Sequence, residues 1–442
     1  MKKIHVFIFN TLVLLSSSII LQVIGLFFNV YISKKIGSEA VGVYSLVLSV
    51  YLFAITIASA GINIASTRVV SEELALNNFE AAKKAGKNCV VLSLITGTIA
   101  CFIFLIFSNF IVVNCFHNKV SSSVIYCFCV ALPFISMSAA INGYFTAVRR
   151  VYKNAIAKFF EELIKIASTA FLLSLFLSPG INSVCFSLIL GDVISEVTSL
   201  ILLYILYLKD QKKHLETKNS RSSSSMKNIL RISLPVAFTS YIRSGLSTLK
   251  QMLIPSSLEK SGIGCSLALS NYGIVHGMAM PIIMFPSVFI NSFAGLLIPE
   301  FSRYYIKKDY FKIKKMSRFI LSVTAIFSIS VNFILFTFAD LLAVKIYSNI
   351  DIAKYIKLLS FLVVFMYLDL VIDSILKGLD AQLSVVFINI ADCVVTILFI
   401  LIFVPKLGFI GYVFSIYISE IFNIFLSLGK LVFLLKKIDT SI

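Results

Sequence analysis

Three groups of ionisable side chains sit in this 442-residue chain where apolar residues surround them on both sides. Arg243 and Lys250 lie seven residues apart in the apolar run 229–254, so a helix places them near one face. A guanidinium there can grip a pyrophosphate bidentately. The alternative is an internal ion pair that ties two helices together. Asp369 and Asp373 stand at i,i+4 in the run 355–377, and Asp392 and Thr396 repeat that spacing in 383–404. Stacked oxygen groups of this kind suit Na⁺ or a proton, and one charge crossing a membrane potential is worth about 2.3 kcal/mol per 100 mV. Alternatively, these acids neutralise Arg243, Lys250 or one another. Glu420 is a further ion-coupling candidate.

The third group, Glu161, Glu162 and Lys165, opens the run 157–178 beside Arg149 and Arg150. With Asp192 and Glu196 it supplies candidates for a cytoplasmic gate. The plainer reading is local: Glu161 and Lys165 are spaced as an i,i+4 pair, and acids near a helix N-terminus complement its dipole. Gln22, Asn29 and Asn63 are candidates for the wall of a cavity. The lone His276 reads as a hydrogen-bonded packing residue, and the eight cysteines read as small buried hydrophobes. No nucleophile, metal-ligand or phosphate-loop pattern occurs, so neither an enzyme nor a bound cofactor is expected. Coupling to Na⁺ or H⁺ is the one ion requirement foreseen.

The elements that must carry these groups follow from composition. Hydrophobic residues make up 59% and charged residues 14% of the chain, with a mean hydropathy of +0.96. Soluble domains run at roughly 45–50% apolar and about 25% charged, so the expected class is an all-α polytopic membrane protein. The apolar runs reach or exceed the roughly 20 residues that cross a bilayer as helix. Twelve are expected: 6–31, 40–64, 88–113, 122–147, 157–178 and 182–207, then 229–254, 267–296, 317–339, 355–377, 383–404 and 408–435. The first is too long for the apolar core of a signal peptide and is expected to remain as a span. Spans one to four hold no Asp, Glu, Lys or Arg.

The formal charge is +18. Its basic residues cluster in alternate connections: Lys83-Lys84 and Lys87, Arg149-Arg150 and Lys153, the central polar run, and Arg303 to Arg318. The intervening connections are sparse in Lys and Arg. The positive-inside rule then puts both termini and the central run in the cytoplasm of a multi-pass protein of the cytoplasmic membrane. Without aromatic interleaving on a soluble face, no nucleic-acid partner is expected. Trp is absent, which leaves Tyr for any interfacial belt.

The run Lys209 to Lys227, KDQKKHLETKNSRSSSSMK, reads as a basic Ser-rich linker. It divides the chain into a six-helix lobe (1–208), a linker (209–228) and a second six-helix lobe (229–442). The lobes echo each other. Asn77-Asn78-Phe79-Glu80-Ala81-Ala82-Lys83-Lys84 after span two resembles Lys308-Asp309-Tyr310-Phe311-Lys312-Ile313-Lys314-Lys315 after span eight. Asn142-Gly143-Tyr144 after span four likewise matches Lys377-Gly378-Leu379 after span ten. Six helices per half is even, so the repeat is parallel, an arrangement that favours a transporter with its site between the halves.

The segment Ser59-Ala60-Gly61-Ile62-Asn63 through Ser71-Glu72-Glu73-Leu74-Ala75-Leu76-Asn77-Asn78 resembles the stage V sporulation protein B family. So do Ile141-Asn142-Gly143-Tyr144-Phe145 and Phe160-Glu161-Glu162-Leu163-Ile164-Lys165. That family belongs to the polysaccharide-exporter branch of the multidrug/oligosaccharidyl-lipid/polysaccharide (MOP) flippase superfamily. The chain departs from it where Glu162 replaces the usual amide and in having a twelve-span core without two extra spans.

The resemblance implies a MATE-like fold of two six-helix lobes around a central cavity. It also implies a cation site in the second half and a flippase acting on a lipid-linked oligosaccharide or peptidoglycan precursor, in spore cortex or envelope polysaccharide synthesis. Membrane lipids and envelope-synthesis enzymes are the expected partners of a monomer. Two other readings stand beside it: a multidrug or cation antiporter of the same superfamily, which would want an acid in the first-half cavity, where spans one to four offer none, and a non-transporting envelope-assembly scaffold, which would need no buried charge.

Overall fold

A backbone surrounded by hydrocarbon must satisfy its own N–H and C=O groups, and a helix does so within one segment. The computed structural model describes residues 2–76, 78–116, 118–175, 180–214 and 226–439, and among them every regular element is helical. In chain order these begin with α1 (Lys2–Ser59), broken at Gly37 where φ is 78° and ψ 169°. Then come α2 (Ile62–Ala75), α3 (Phe79–Ile106), α4 (Ser108–Cys115), α5 (Ser122–Ala147), α6 (Val151–Leu175) and α7 (Ile181–His214). The second part holds α8 (Met226–Lys260), α9 (Cys265–Tyr272), a π-helical turn (Gly273–Ala279), α10 (Met280–Met284), α11 (Ser287–Ile306) and α12 (Tyr310–Thr337). It closes with α13 (Ala339–Leu342), a second π-helical turn (Ala343–Tyr347), α14 (Asp351–Ser360), α15 (Leu362–Gly378), α16 (Gln382–Leu407) and α17 (Phe409–Asp439).

Eight stretches among the described residues are long and apolar enough to cross a membrane, or nine if the bent pair α14 and α15 forms one span. With the bent pair counted, two causes separate nine from twelve. Ser16–Ala75 is a single stretch that holds both of the first two expected spans. The expected fifth and seventh spans are α6 and α8, and these carry Lys158, Glu161, Glu162 and Lys165, and Arg231, Arg243 and Lys250. Both of these helices bear candidate site residues.

The chain forms two compact units. The first comprises Met1–Leu21 and Leu46–Gly245, the second Gln22–Ser45 and Leu246–Ile442. In the first unit, small and branched residues of α2, α3 and α5 interlock, among them Ala65, Val70, Ala82, Ala85 and Ile141, with Tyr144 and Tyr207 buried beside them. In the second unit, the segment around Gly42 lies against Leu269 and Gly273, too close for a Cβ on either glycine. Ser38 and Ser270 share a hydrogen bond of 2.6 Å there.

The repeat seen in the sequence is written into the connections of each unit. Asn78 caps α3 by accepting from the Ala81 amide at 3.2 Å, and Asp309 caps α12 by accepting from the Lys312 amide at 3.2 Å. The helix ends match too. The Arg150 amide donates to Phe145 at 2.8 Å, the Ala381 amide donates to Leu376 at 2.9 Å, and Arg149 and Asp380 both take a left-handed φ near +60°. Gly143 lets α5 approach the backbone of Asn63, as Gly378 lets α15 approach that of Ile298. Thus α2, α3 and α5 correspond to α11, α12 and α15.

Lys209 to His214, which composition places in the linker, are helical and extend α7. The reason is Asp210, only 4% exposed, which pairs with Arg150 and Lys153 and accepts a 3.2 Å bond from the Tyr144 hydroxyl. Residues 215–225 of the expected linker lie outside the described residues.

Candidate functional site

Each unit contains an ionic cluster on its last helix pair. In the first unit, α6 places Lys158, Glu161 and Lys165 at i, i+3 and i+7, which is one face of a helix. Asp192, Glu196 and Ser199 follow the same rule on α7. The faces meet: Lys165 Nζ lies 2.8 Å from Asp192 Oδ1, and Ser199 Oγ donates to Glu161 Oε2 at 2.9 Å. Lys158 pairs with the other oxygen of Glu161. Asp192 is 5% exposed and Glu161 is buried.

A cavity of about 260 Å³ opens beside this network, lined by Glu161, Glu196, Lys158, Ser199, Asn154 and Asn63, with Asn142 and Ser138 completing it. Glu196 is half-buried and has no hydrogen-bond partner among the described residues. Three carboxylates, Glu161, Asp192 and Glu196, therefore face two ammonium groups, Lys158 and Lys165. Glu162 is half-buried on a neighbouring face of α6 and outside the cavity lining.

The second unit is more acidic. Asp392 on α16 is buried, and its Oδ1 accepts from Ser419 Oγ of α17 at 2.8 Å. The Thr396 hydroxyl donates to the Asp392 carbonyl at 2.8 Å and lies 3.3 Å from the same Oδ1. One turn along α17, Asn423 and Ser427 donate to the two oxygens of Asp369 on α15, each at 2.9 Å. Glu420 lies between these donors on α17 and has no hydrogen-bond partner among the described residues. Lys250 lies within electrostatic reach of Asp392, Glu420 and His276. Asp373, below Asp369 on α15, has Lys377 Nζ 3.6 Å away. Four carboxylates and two ammonium groups thus share this part of the second unit.

His276 sits in the π-helical turn, with ring centroids of Tyr272 and Tyr412 at 4.8 and 6.2 Å. Such turns inside helices recur at functional sites. Arg243 is exposed on α8 and makes no hydrogen bond or ion pair among the described residues. The boundary between the units falls within α8, just after Gly245. Gln22 is exposed on α1, Asn29 accepts a 3.4 Å bond from Ser33, and Asn63 reaches the cavity of the first unit.

Sequence reasoning paired the acids along their own helices and missed the donors that hold them. Ser419, Asn423 and Ser427 recur every fourth residue on α17, and Lys158 and Ser199 fall in register with the acids of α6 and α7. That periodicity was the available signal. Chemically, both clusters put more negative than positive charge among oxygen donors in a helix bundle, so each can take up a proton or a monovalent cation.

A sequence profile described as polysaccharide biosynthesis protein matches residues 7–305. Stage V sporulation protein B of Bacillus subtilis (strain 168) is 23% identical over 419 residues, covering 92% of this chain and 79% of that protein. An inward-facing multidrug resistance MATE family transporter of the MOP superfamily superimposes with a TM-score of 0.76 at 15% identity, over 98% of this chain and 99% of that one. The outward-facing conformation of such a transporter gives 0.68 at 16% identity, over 98% and 97%. Among proteins of known structure, the fold is that of MATE transporters.

Proposed function

Because this chain belongs to the polysaccharide biosynthesis protein family, we propose that it is a flippase that carries a lipid-linked oligosaccharide or peptidoglycan precursor across the cytoplasmic membrane. It works by alternating access, with both termini on the cytoplasmic side. The observation that carries this reading is the buried Asp392 with its Ser419 and Thr396 donors, beside Asp369, Glu420 and Lys250. An ionisable group at mid-bilayer costs roughly 2.5–3.5 kcal/mol on insertion scales, so several together call for work that an assembly scaffold would not need. Here they form the ion-coupling site, where a proton or Na⁺ replaces the missing positive charge. Arg243, a guanidinium with no partner among the described residues, supplies the pyrophosphate contact.

A cation antiporter is the second reading, and the acidic cavity around Glu196 favours it. Reconstitution in liposomes separates the two. Lipid-linked glycans offered on one face should reach the other in a gradient-dependent way, while cationic dyes should not accumulate. Dye accumulation without glycan transfer would replace the flippase with the antiporter, and neither activity would leave the scaffold.

A further inference from the structure

Between α12 and α17 of the second unit lies a groove of about 380 Å³ that the acid cluster does not share. Its basic end holds Lys314 and Arg318 of α12 and Lys436 of α17, and its wall is Leu321, Leu428, Leu431 and Leu435. Arg318 and Lys436 are exposed, and neither meets a carboxylate among the described residues. The Ser317 hydroxyl also lines the groove. It is buried, at 1% exposure, yet has no hydrogen-bond partner among the described residues. A serine inside a helix ordinarily satisfies itself on the preceding turn, so an orphaned hydroxyl beside two unpaired cations points to an acceptor from outside the chain.

The repeat explains why the groove exists. With the Asn78 and Asp309 caps in register, Lys83, Gly86 and Lys87 of α3 correspond to Lys314, Ser317 and Arg318 of α12. In the first unit the space over Gly86 is filled. A Cβ there would meet the Tyr207 hydroxyl at 3.0 Å and the Tyr144 ring at 3.3 Å, and those two rings pack edge to face at 4.8 Å. Counting from the starts of α7 and α17, Tyr207 corresponds to Leu435; from the paired glycines, Tyr144 corresponds to Leu379. Two aromatic rings of the first unit are leucines in the second, and one of these, Leu435, lines the open groove.

We infer that this groove binds an anionic phospholipid, with its phosphate on Lys314, Arg318, Lys436 and the Ser317 hydroxyl and one acyl chain along the leucine wall. Charge and shape fit together: three cations and a donor at one end, apolar side chains beyond. Basic pockets between membrane helices recognise anionic headgroups in this way. The occupant is structural lipid, so the inference stands apart from the transport reading.

The full chain in detergent is titrated with phosphatidylglycerol, phosphatidylcholine and inorganic phosphate, and lipid retention is read by native mass spectrometry beside the melting temperature. Phosphatidylglycerol should be retained and should raise Tm with concentration, while phosphatidylcholine and phosphate should not. Arg318→Gln/Lys436→Gln should weaken retention by roughly 30-fold, the equivalent of two basic contacts. Leu435→Tyr, which restores the ring of the first unit, should abolish retention without lowering Tm in lipid-free detergent. Wild-type retention in both variants, equal retention of phosphatidylcholine, or the same Tm rise from phosphate alone would overturn the inference. Failed glycan transfer in liposomes would leave this readout unchanged.

Discussion

The hydroxyl of Ser419 donates a 2.8 Å hydrogen bond to Oδ1 of Asp392, tying α17 to α16 at a buried carboxylate. A hydroxyl solvates the charge without cancelling it. Lys165 and Asp192 in the first unit form the opposite case, an ion pair at 2.8 Å. The two arrangements lead to different expectations.

Asp392→Asn keeps an acceptor for Ser419 but removes the titratable charge. The variant should insert and melt like the parent, while transport in liposomes should lose its dependence on a Na⁺ or H⁺ gradient. Full gradient dependence in the variant would move coupling away from Asp392, and Glu420→Gln would then be the next variant to measure.

Lys165→Met leaves Asp192 buried without its counter-charge. Breaking a buried pair from one side costs about 3–5 kcal/mol, whereas replacing both partners by apolar groups is often nearly neutral. Denaturant or thermal unfolding in detergent should therefore show a large loss for Lys165→Met and recovery of most of it in Lys165→Met/Asp192→Leu. Equal losses in the single and double variants would mean that the pair contributes through packing alone.

Arg243→Ala should abolish transfer of a lipid-linked substrate with no change in membrane insertion or Tm, because the guanidinium has no partner to lose among the described residues. Arg243→Lys should recover only part of the activity, since an ammonium cannot form the bidentate contact. Wild-type transfer by Arg243→Ala would remove the pyrophosphate role.

The cap of α12 should titrate. A hydrogen bond from the Lys312 side chain, supported by its amide, holds the Asp309 carboxyl below the usual carboxylate range. A depressed folded pKa contributes stability above the unfolded value, about 3.9, and that stability is lost as pH falls through the folded value. Asp309→Asn copies the Asn78 cap of α3 and has no such charge to lose. The Tm advantage of the parent over Asp309→Asn at pH 7 should therefore shrink as the pH is lowered below about 4. An advantage that stays constant down to pH 3 would show that the Asp309 charge does not support the cap.

How much of this was legible before folding depends on whether an interaction stays within one helix. Apolar length, the parallel repeat and the i,i+4 spacing of Asp392 and Thr396 follow from local periodicity, and the sequence by itself determined them. The resemblance that runs through Phe160-Glu161-Glu162-Leu163-Ile164-Lys165 was local in the same sense, and it identified the family. Partners on other helices were not legible. Nothing in the period of α16 says that Ser419 of α17 will face Asp392, nor does α6 announce that Lys165 will reach Asp192. Asp210 is the sharpest instance: in a basic run it read as solvated linker, and only its enclosure by Arg150, Lys153 and Tyr144 made it buried structure. Tertiary structure also decided what the exchange of Tyr207 for Leu435 means: the ring packs over Gly86 in one unit, and a groove stays open in the other. A helix's own period sets which residues share a face, but which face meets which depends on side chains far apart in the chain, and those contacts exist only after the helices have packed.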